Sequence, residues 1–210
     1  VRILNGAHTS MVLGAYLAGF DYVGQCMADP DVRKQLDQSV FGEIVPTVHL
    51  PKAEAEEFAK AVFERFQNPF VHHALLSISL NSISKWRARV LPSVKDSIAN
   101  NNGKLPKWLT YSLAALFAFY RTTKAGNKCL IGNRGTNEYE IHDDQEKMDF
   151  IKEKAGLSTR EYAMALLTQK TWWGEDLTAI PNFAETVIKH LERIEAIGAK
   201  AYIAELGKTE

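Results

Sequence analysis

A chain of 210 residues has room for one large domain or two small ones, and 46% hydrophobic residues supply a core, which excludes intrinsic disorder. Twenty-five basic residues balance 25 acidic ones, so neither a nucleic-acid backbone nor an anionic membrane surface is an expected partner. The longest mainly apolar stretch, Leu109 to Tyr120, falls short of the ~20 residues that cross a bilayer.

Apolar residues recur at helical spacing, and almost no stretch alternates apolar with polar for long enough to make a strand. Residues 1–210 therefore read as one all-α, multi-helix domain. The chain begins Val1-Arg2-Ile3-Leu4 with no initiator methionine and no signal sequence, and reads as a segment of something longer. Met11, Ala15, Ala18 and Tyr22, with Leu13, Leu17 and Phe20, predict a buried central helix that is apolar nearly all round. Cys26 shares that pattern, where a reduced buried thiol is expected. With Cys129 as the second of two cysteines, this argues against a structural disulfide and for the cytoplasm.

Asp29 is a predicted N-cap with Pro30 at the first helical position, and Val32, Leu36, Val40 and Ile44 carry that helix to Pro46. Pro51 opens a helix burying Ala55, Phe58, Val62, Phe63 and Phe66, and Asn68-Pro69 ends it. From Val71 to about Asn100, Leu75, Ile78, Ile83, Trp86 and Val90 predict one long helix, kinked or broken at Leu91-Pro92. Asn100-Asn101-Asn102-Gly103 is a turn. Pro106 then precedes a core helix through Leu109, Leu113, Leu116, Phe117 and Tyr120. Thr122 to His142 contains Gly126, Gly132 and Gly135 and reads as a long irregular excursion, with a hairpin-like flap expected around Lys128–Ile131. Helices resume at Asp144–Ala155, and Ser158 and Glu161 fit a capping box. A last helix over Asn182–Glu205 is expected to bury Val187, Leu191, Ile194 and Ala201.

The chain has no Gly-x-Gly-x-x-Gly, Walker loop, Cys-x-x-Cys or His-Glu-x-x-His, so no dinucleotide fold, phosphate cradle or metal ligand set is assigned. Asp143-Asp144 reads as a solvated helix start. Adjacent His72-His73 would diverge on a helix and make a poor ligand pair. Two constellations remain. On a helix, Asn5 and His8 project from one face at i, i+3, an amide and an imidazole able to reach one carbonyl oxygen. Spacing alone also allows Asn5 as a cap and His8 as a satisfied core histidine. In Asn81-Ser82-Ile83-Ser84-Lys85-Trp86-Arg87-Ala88-Arg89, Lys85 and Arg89 stand at i, i+4. If buried they would want an anion such as a carboxylate; otherwise they are a solvated basic face with Trp86 in the core.

At these residues the chain resembles the polyol-specific long-chain dehydrogenases, which include mannitol dehydrogenase and the hexuronate reductases. The family signature is Lys-x4-Asn-x2-His. Asn5 and His8 match its last two members, and the lysine would fall one residue before Val1. The resemblance continues through Asn68-Pro69, through Ser82-Ile83-Ser84-Lys85 and through Leu113–Tyr120, and covers most of the chain. It implies a helical C-terminal substrate domain, similar to that of 6-phosphogluconate dehydrogenase, whose partner is an N-terminal Rossmann domain absent from this chain. Ser77 stands eight residues before the aligned lysine where the mannitol branch has arginine, and Asn81 replaces the usual aspartate. Together with the wording of Arg2–Thr9 and Leu80–Trp86, this points to the hexuronate branch.

The resemblance implies metal-free hydride transfer between NAD, held mainly by the missing domain, and the ketone carbon of a small-molecule sugar acid. Asn5 and His8 would be catalytic, hydrogen-bonding the developing oxyanion. Lys85 and Asn81 would bind substrate, and Arg89 is added as a second cation for its carboxylate. A different sugar-acid or polyol substrate, or a catalytically silent association domain, stays as the alternative.

Overall fold

The computed structural model describes residues 2–209. Two helices that are apolar almost all round form its centre. Helix α1 (Arg2–Leu17) buries Ile3, Ala7, Met11, Val12 and Ala15. It packs against a later helix, Lys107–Tyr120, in which every residue except Lys107 and Ala118 is buried. Gly14 permits the contact, because a Cβ there would lie 2.8 Å from the Tyr111 hydroxyl.

The first helix starts earlier and stops sooner than its apolar pattern suggested. Gly19 takes φ 106°, and Tyr22 lies in an extended bridge to Ala74 before α2 (Val23–Ala28) begins. Asp29 caps α3 (Pro30–Asp37) as expected, its Oδ1 accepting from the N–H groups of Asp31 and Val32 at 3.0 Å. The chain then widens into a π-helical stretch, Gln38–Ile44, and tightens into a 3-10 turn, Val45–Thr47. Residues five apart share a face in a π-helix. Gln38 accordingly accepts from the Trp108 indole at 2.7 Å, while Glu43 accepts from the Trp108 and Leu109 N–H groups at 2.9 Å.

Pro51 precedes α4 (Lys52–Phe66), whose buried stripe is Ala55, Ala59, Val62, Phe63 and Phe66. Phe58 lies at the stripe's edge and is 44% exposed, contrary to expectation. The long helix expected over 71–100 is three helices: α5 (Leu75–Ile78), α6 (Ser82–Arg89) and α7 (Leu91–Asn100). Residues 71–73 lie outside any helix, and Ala74 is extended, with His73 O accepting from Val23 N–H and Asp21 O from Leu75 N–H. His72 and His73 are therefore on no helix. Asn81 breaks the chain again at φ 53°, a left-handed conformation that asparagine tolerates. Pro92 sits in the first turn of α7, where a missing N–H leaves nothing unpaired.

Asn102 and Gly103 make the predicted turn, and α8 (Lys107–Tyr120) follows Pro106. The excursion over 122–142 is an ordered hairpin, with strands further along than the flap expected around Lys128–Ile131. Strand β1 (Leu130–Arg134) pairs antiparallel with β2 (Asn137–Ile141), and Gly135 turns between them at φ 62°. Tyr139 lies over Gly132 and donates to Phe119 O at 2.7 Å. Arg134 donates to Tyr16 O and Phe20 O and pairs with Asp21, which ties the hairpin to the end of α1.

Helices α9 (Gln145–Lys154) and α10 (Thr159–Leu167) follow, the latter opened by the Ser158–Glu161 box. Next come α11 (Lys170–Trp173) and α12 (Phe183–Ile197), and α12 packs on α8. Gly198, at φ 85°, divides the expected final helix and starts α13 (Ala199–Leu206). The break resets the helical phase, so Ala201 is exposed and Tyr202, Ile203 and Leu206 are buried instead. Cys26 and Cys129 are buried free thiols. No helix among the described residues is long and apolar enough to cross a membrane.

His190 of α12 is buried, and its Nδ1 lies 2.6 Å from the Tyr202 hydroxyl. Burial, then Lys189, pushes its pKa down to about 4. The unfolded chain takes up the proton near pH 6.5 and the fold does not, so the stabilisation is complete above pH 6.5 and is lost as the pH falls toward 4. The span is worth about 3 kcal/mol. Burial pushes Glu43 up to about 7, which acts in the opposite direction, so the test is a difference. Urea unfolding of wild type and His190→Gln between pH 4.5 and 7.5 should show a shallower acid loss in the variant. Parallel curves would mean that His190 does not titrate with folding.

Candidate active site

Helix α1 begins at Arg2, so Asn5 lies inside it and does not cap it. Arg2 donates to Thr47 O at 2.9 Å and pairs with Asp96 at 2.5 Å, fixing the helix start. At Gly6 a Cβ would lie 3.3 Å from Arg89 O, so α1 runs against the last turn of α6 beside Asn5. His8 stacks on Phe66 with ring centroids 4.2 Å apart and meets His73 edge-on at 6.0 Å. Its Nε2 is buried with no hydrogen-bond partner among the described residues, as is the Thr9 hydroxyl. His8 is thus not the satisfied core histidine that its spacing also allowed. Burial first, then the charges of His73, Arg89 and Lys85, push its pKa down to about 4. At neutral pH it is an uncharged imidazole with one unengaged ring nitrogen, and leaving such a group unpaired costs about 1–3 kcal/mol unless a ligand meets it.

Both predicted cations are half-buried and stand one turn apart on α6. Lys85 donates to Ile78 O at 2.8 Å. Its pKa is lowered by burial and by Arg89, with Asp143 opposing. Among the described residues Arg89 has no salt bridge. His8, Lys85 and Arg89 therefore share one electrostatic neighbourhood, with Asn5 three residues before His8 on α1. Asn81 is exposed one turn before Lys85, and its N–H donates to His142 O at 3.0 Å.

Asp143 is a residue that the sequence did not single out correctly. Asp144 is the solvated N-cap expected, with its side chain 66% exposed, whereas the Asp143 side chain is 0% exposed. Asp143 Oδ2 accepts from the Tyr120 hydroxyl at 2.6 Å and from Ile83 N–H at 3.4 Å, and the Tyr120 oxygen accepts from Ser82 N–H at 3.2 Å. Lys147 bridges Ser84 and Asp144, with its Nζ 3.7 Å from Asp143. Asn81 lends α6 no side-chain cap, so a carboxylate and a phenol from distant segments supply it. These contacts hold the helix that carries Lys85.

Asp143→Asn and Tyr120→Phe should each lower stability by about 1–3 kcal/mol, and the double variant should lose less than the sum because the two share one hydrogen bond. Thermal unfolding reads both. Strictly additive losses below about 0.5 kcal/mol would remove this network from the account.

The model of the mannitol dehydrogenase C-terminal domain matches residues 1–195. The chain belongs to that family. It is 39% identical over 212 residues to an altronate oxidoreductase of Enterobacter sp. (strain 638), covering 98% of this chain and 42% of that protein. An altronate oxidoreductase of Yersinia enterocolitica is 39% identical over 210 residues, covering 97% and 41%. The chain thus spans about two-fifths of the length of these relatives. Among solved structures, the Pseudomonas fluorescens mannitol 2-dehydrogenase ternary complex with NAD and D-mannitol superposes with a TM-score of 0.84 at 17% identity, covering 99% of this chain and 40% of that one. A substrate-free D-sorbitol dehydrogenase gives 0.76 at 19%, covering 96% and 39%. At these identities the superpositions establish the fold. This mannitol dehydrogenase C-terminal domain is the all-α architecture expected, with one β-hairpin added.

Proposed function

We propose that the chain is the substrate-side catalytic half of an NAD-dependent hexuronate oxidoreductase that interconverts tagaturonate and altronate in the cytoplasm. The unpartnered, buried Nε2 of His8, set beside the half-buried cations Lys85 and Arg89, carries the reading. Similarity to altronate oxidoreductases over nearly the whole chain supports the substrate.

The described residues do not fit a dinucleotide, since their only sheet is a two-stranded antiparallel hairpin with no glycine-rich strand-to-helix turn. NAD would be held by a preceding Rossmann domain, the expected partner of this one. What this chain supplies is the pocket for the sugar acid. The neutral His8 ring donates a hydrogen bond through Nε2 to the carbonyl oxygen as negative charge grows on it, and the Asn5 amide donates from the same flank. Lys85 and Arg89 hold the carboxylate and orient the substrate. Asn81, at the exposed start of α6, meets a hydroxyl.

The test compares tagaturonate, fructuronate and fructose as oxidants of NADH with the full-length protein. Tagaturonate should give the highest kcat/KM, by at least about tenfold, and fructose the lowest. A preference for fructose would return the assignment to the polyol branch.

A further inference from the structure

The hairpin carries a second cluster of ligating side chains that hydride transfer does not use. In the register Leu130↔Ile141 and Ile131↔Glu140, Cys129 falls opposite His142 at the open end, and Glu140 lies two residues earlier on the same face. The Cys129 sulfur, a Glu140 carboxylate oxygen and a His142 ring nitrogen all lie within 4.8 Å of one another. Glu140 Oε2 and His142 Nε2 are 2.8 Å apart. Cys129 is 6% exposed and unpaired. The backbone of Gly126 covers it closely, since a Cβ there would lie 2.8 Å from the sulfur, and Gly126 N–H donates to Cys129 O at 2.9 Å. The thiol is thereby fixed, and the two exposed side chains can move toward it.

We propose that Cys129, Glu140 and His142 form a three-ligand site for a divalent ion of the zinc class. Thiolate, imidazole and carboxylate are the three zinc ligand types, whereas magnesium and calcium would take oxygen alone. Tetrahedral binding at ordinary zinc–ligand lengths sets the three atoms about 3.4–3.6 Å apart, which rotation of Glu140 and His142 can reach. The fourth position opens to water. Binding releases the Cys129 thiol proton to solvent and replaces the Glu140–His142 contact with two metal bonds. Since His142 O accepts from Asn81 N–H, the ion also fastens the hairpin end to the start of α6. The site stands independently of the substrate assignment.

Cobalt(II) is the direct probe. Titrated into the reduced 210-residue chain, it should give a thiolate-to-cobalt charge-transfer band that saturates at one equivalent, releases one proton and is displaced by zinc. Cys129→Ser should abolish the band, and the surface change His142→Gln should weaken binding by at least about tenfold. Cys26→Ser should leave it intact, with circular dichroism confirming that each variant is folded. No charge-transfer band in folded wild type, a band that survives Cys129→Ser, or unchanged affinity in His142→Gln would each overturn the proposal.

Discussion

Replacing His8 with alanine is expected to lower kcat of the full-length protein by about 10²–10³-fold while NADH affinity stays within about twofold, because the role proposed for the ring is at the reacting oxygen and not at the cofactor. The buried Nε2 has no partner among the described residues, so the alanine variant strands none of their groups and the loss falls on the ligand. With its pKa pushed down to about 4, His8 is uncharged from pH 5 upward, so it should contribute no limb near pH 6.5 to the kcat profile. The stack on Phe66 at 4.2 Å gives the ring a packing role as well. Thermal unfolding separates the two: a large fall in melting temperature with kcat retained within a few-fold would make His8 a packing residue.

The N-terminal pair was legible because it is local. Asn5 and His8 sit on one continuous helix, where i, i+3 spacing fixes their shared face. Capping chemistry was legible for the same reason, at Asp29 and at Ser158 with Glu161. Helix continuity was not. Apolar residues at 3.6-residue spacing persist across Asn81 and Gly198; Asn81 stops its helix in a left-handed conformation with its N–H bound to His142 O, the nearby 71–74 segment binds 21–23, and Gly198 breaks the last helix at φ 85°.

Asp143 shows the same limit from the opposite side. An acidic pair before a helix predicts solvation, and for Asp144 that is what happens. Burial of Asp143 depends on Tyr120, which the sequence shows only as the end of an apolar run, and on the unpaired first turn of α6, 60 residues away along the chain. No local pattern encodes that meeting. The hairpin was half legible for a related reason: its glycines marked an excursion, while its strands are set by Tyr139 and Arg134 docking on α8 and α1.

Lys85→Met should reduce kcat/KM for the hexuronate by about 10²-fold, near 3 kcal/mol, and for a neutral ketose such as fructose by less than about tenfold. Lys85 and Arg89 are half-buried cations one turn apart, and among the described residues Lys85 donates only to the Ile78 carbonyl. Burial and Arg89 both lower the Lys85 pKa, with Asp143 opposing, so the pair is short of negative charge among the described residues. In the proposed complex a substrate carboxylate would supply it, and Ser77 stands where the mannitol branch has an arginine. Methionine keeps the unbranched apolar stem and removes the ammonium, so packing against the helix is retained while the carboxylate faces Arg89 alone. A neutral ketose has no carboxylate to lose, and its own low rate should fall little. Wild type and variant compared on both substrates decide the point: an equal proportional loss would place Lys85 on a hydroxyl common to both and leave the carboxylate to other groups.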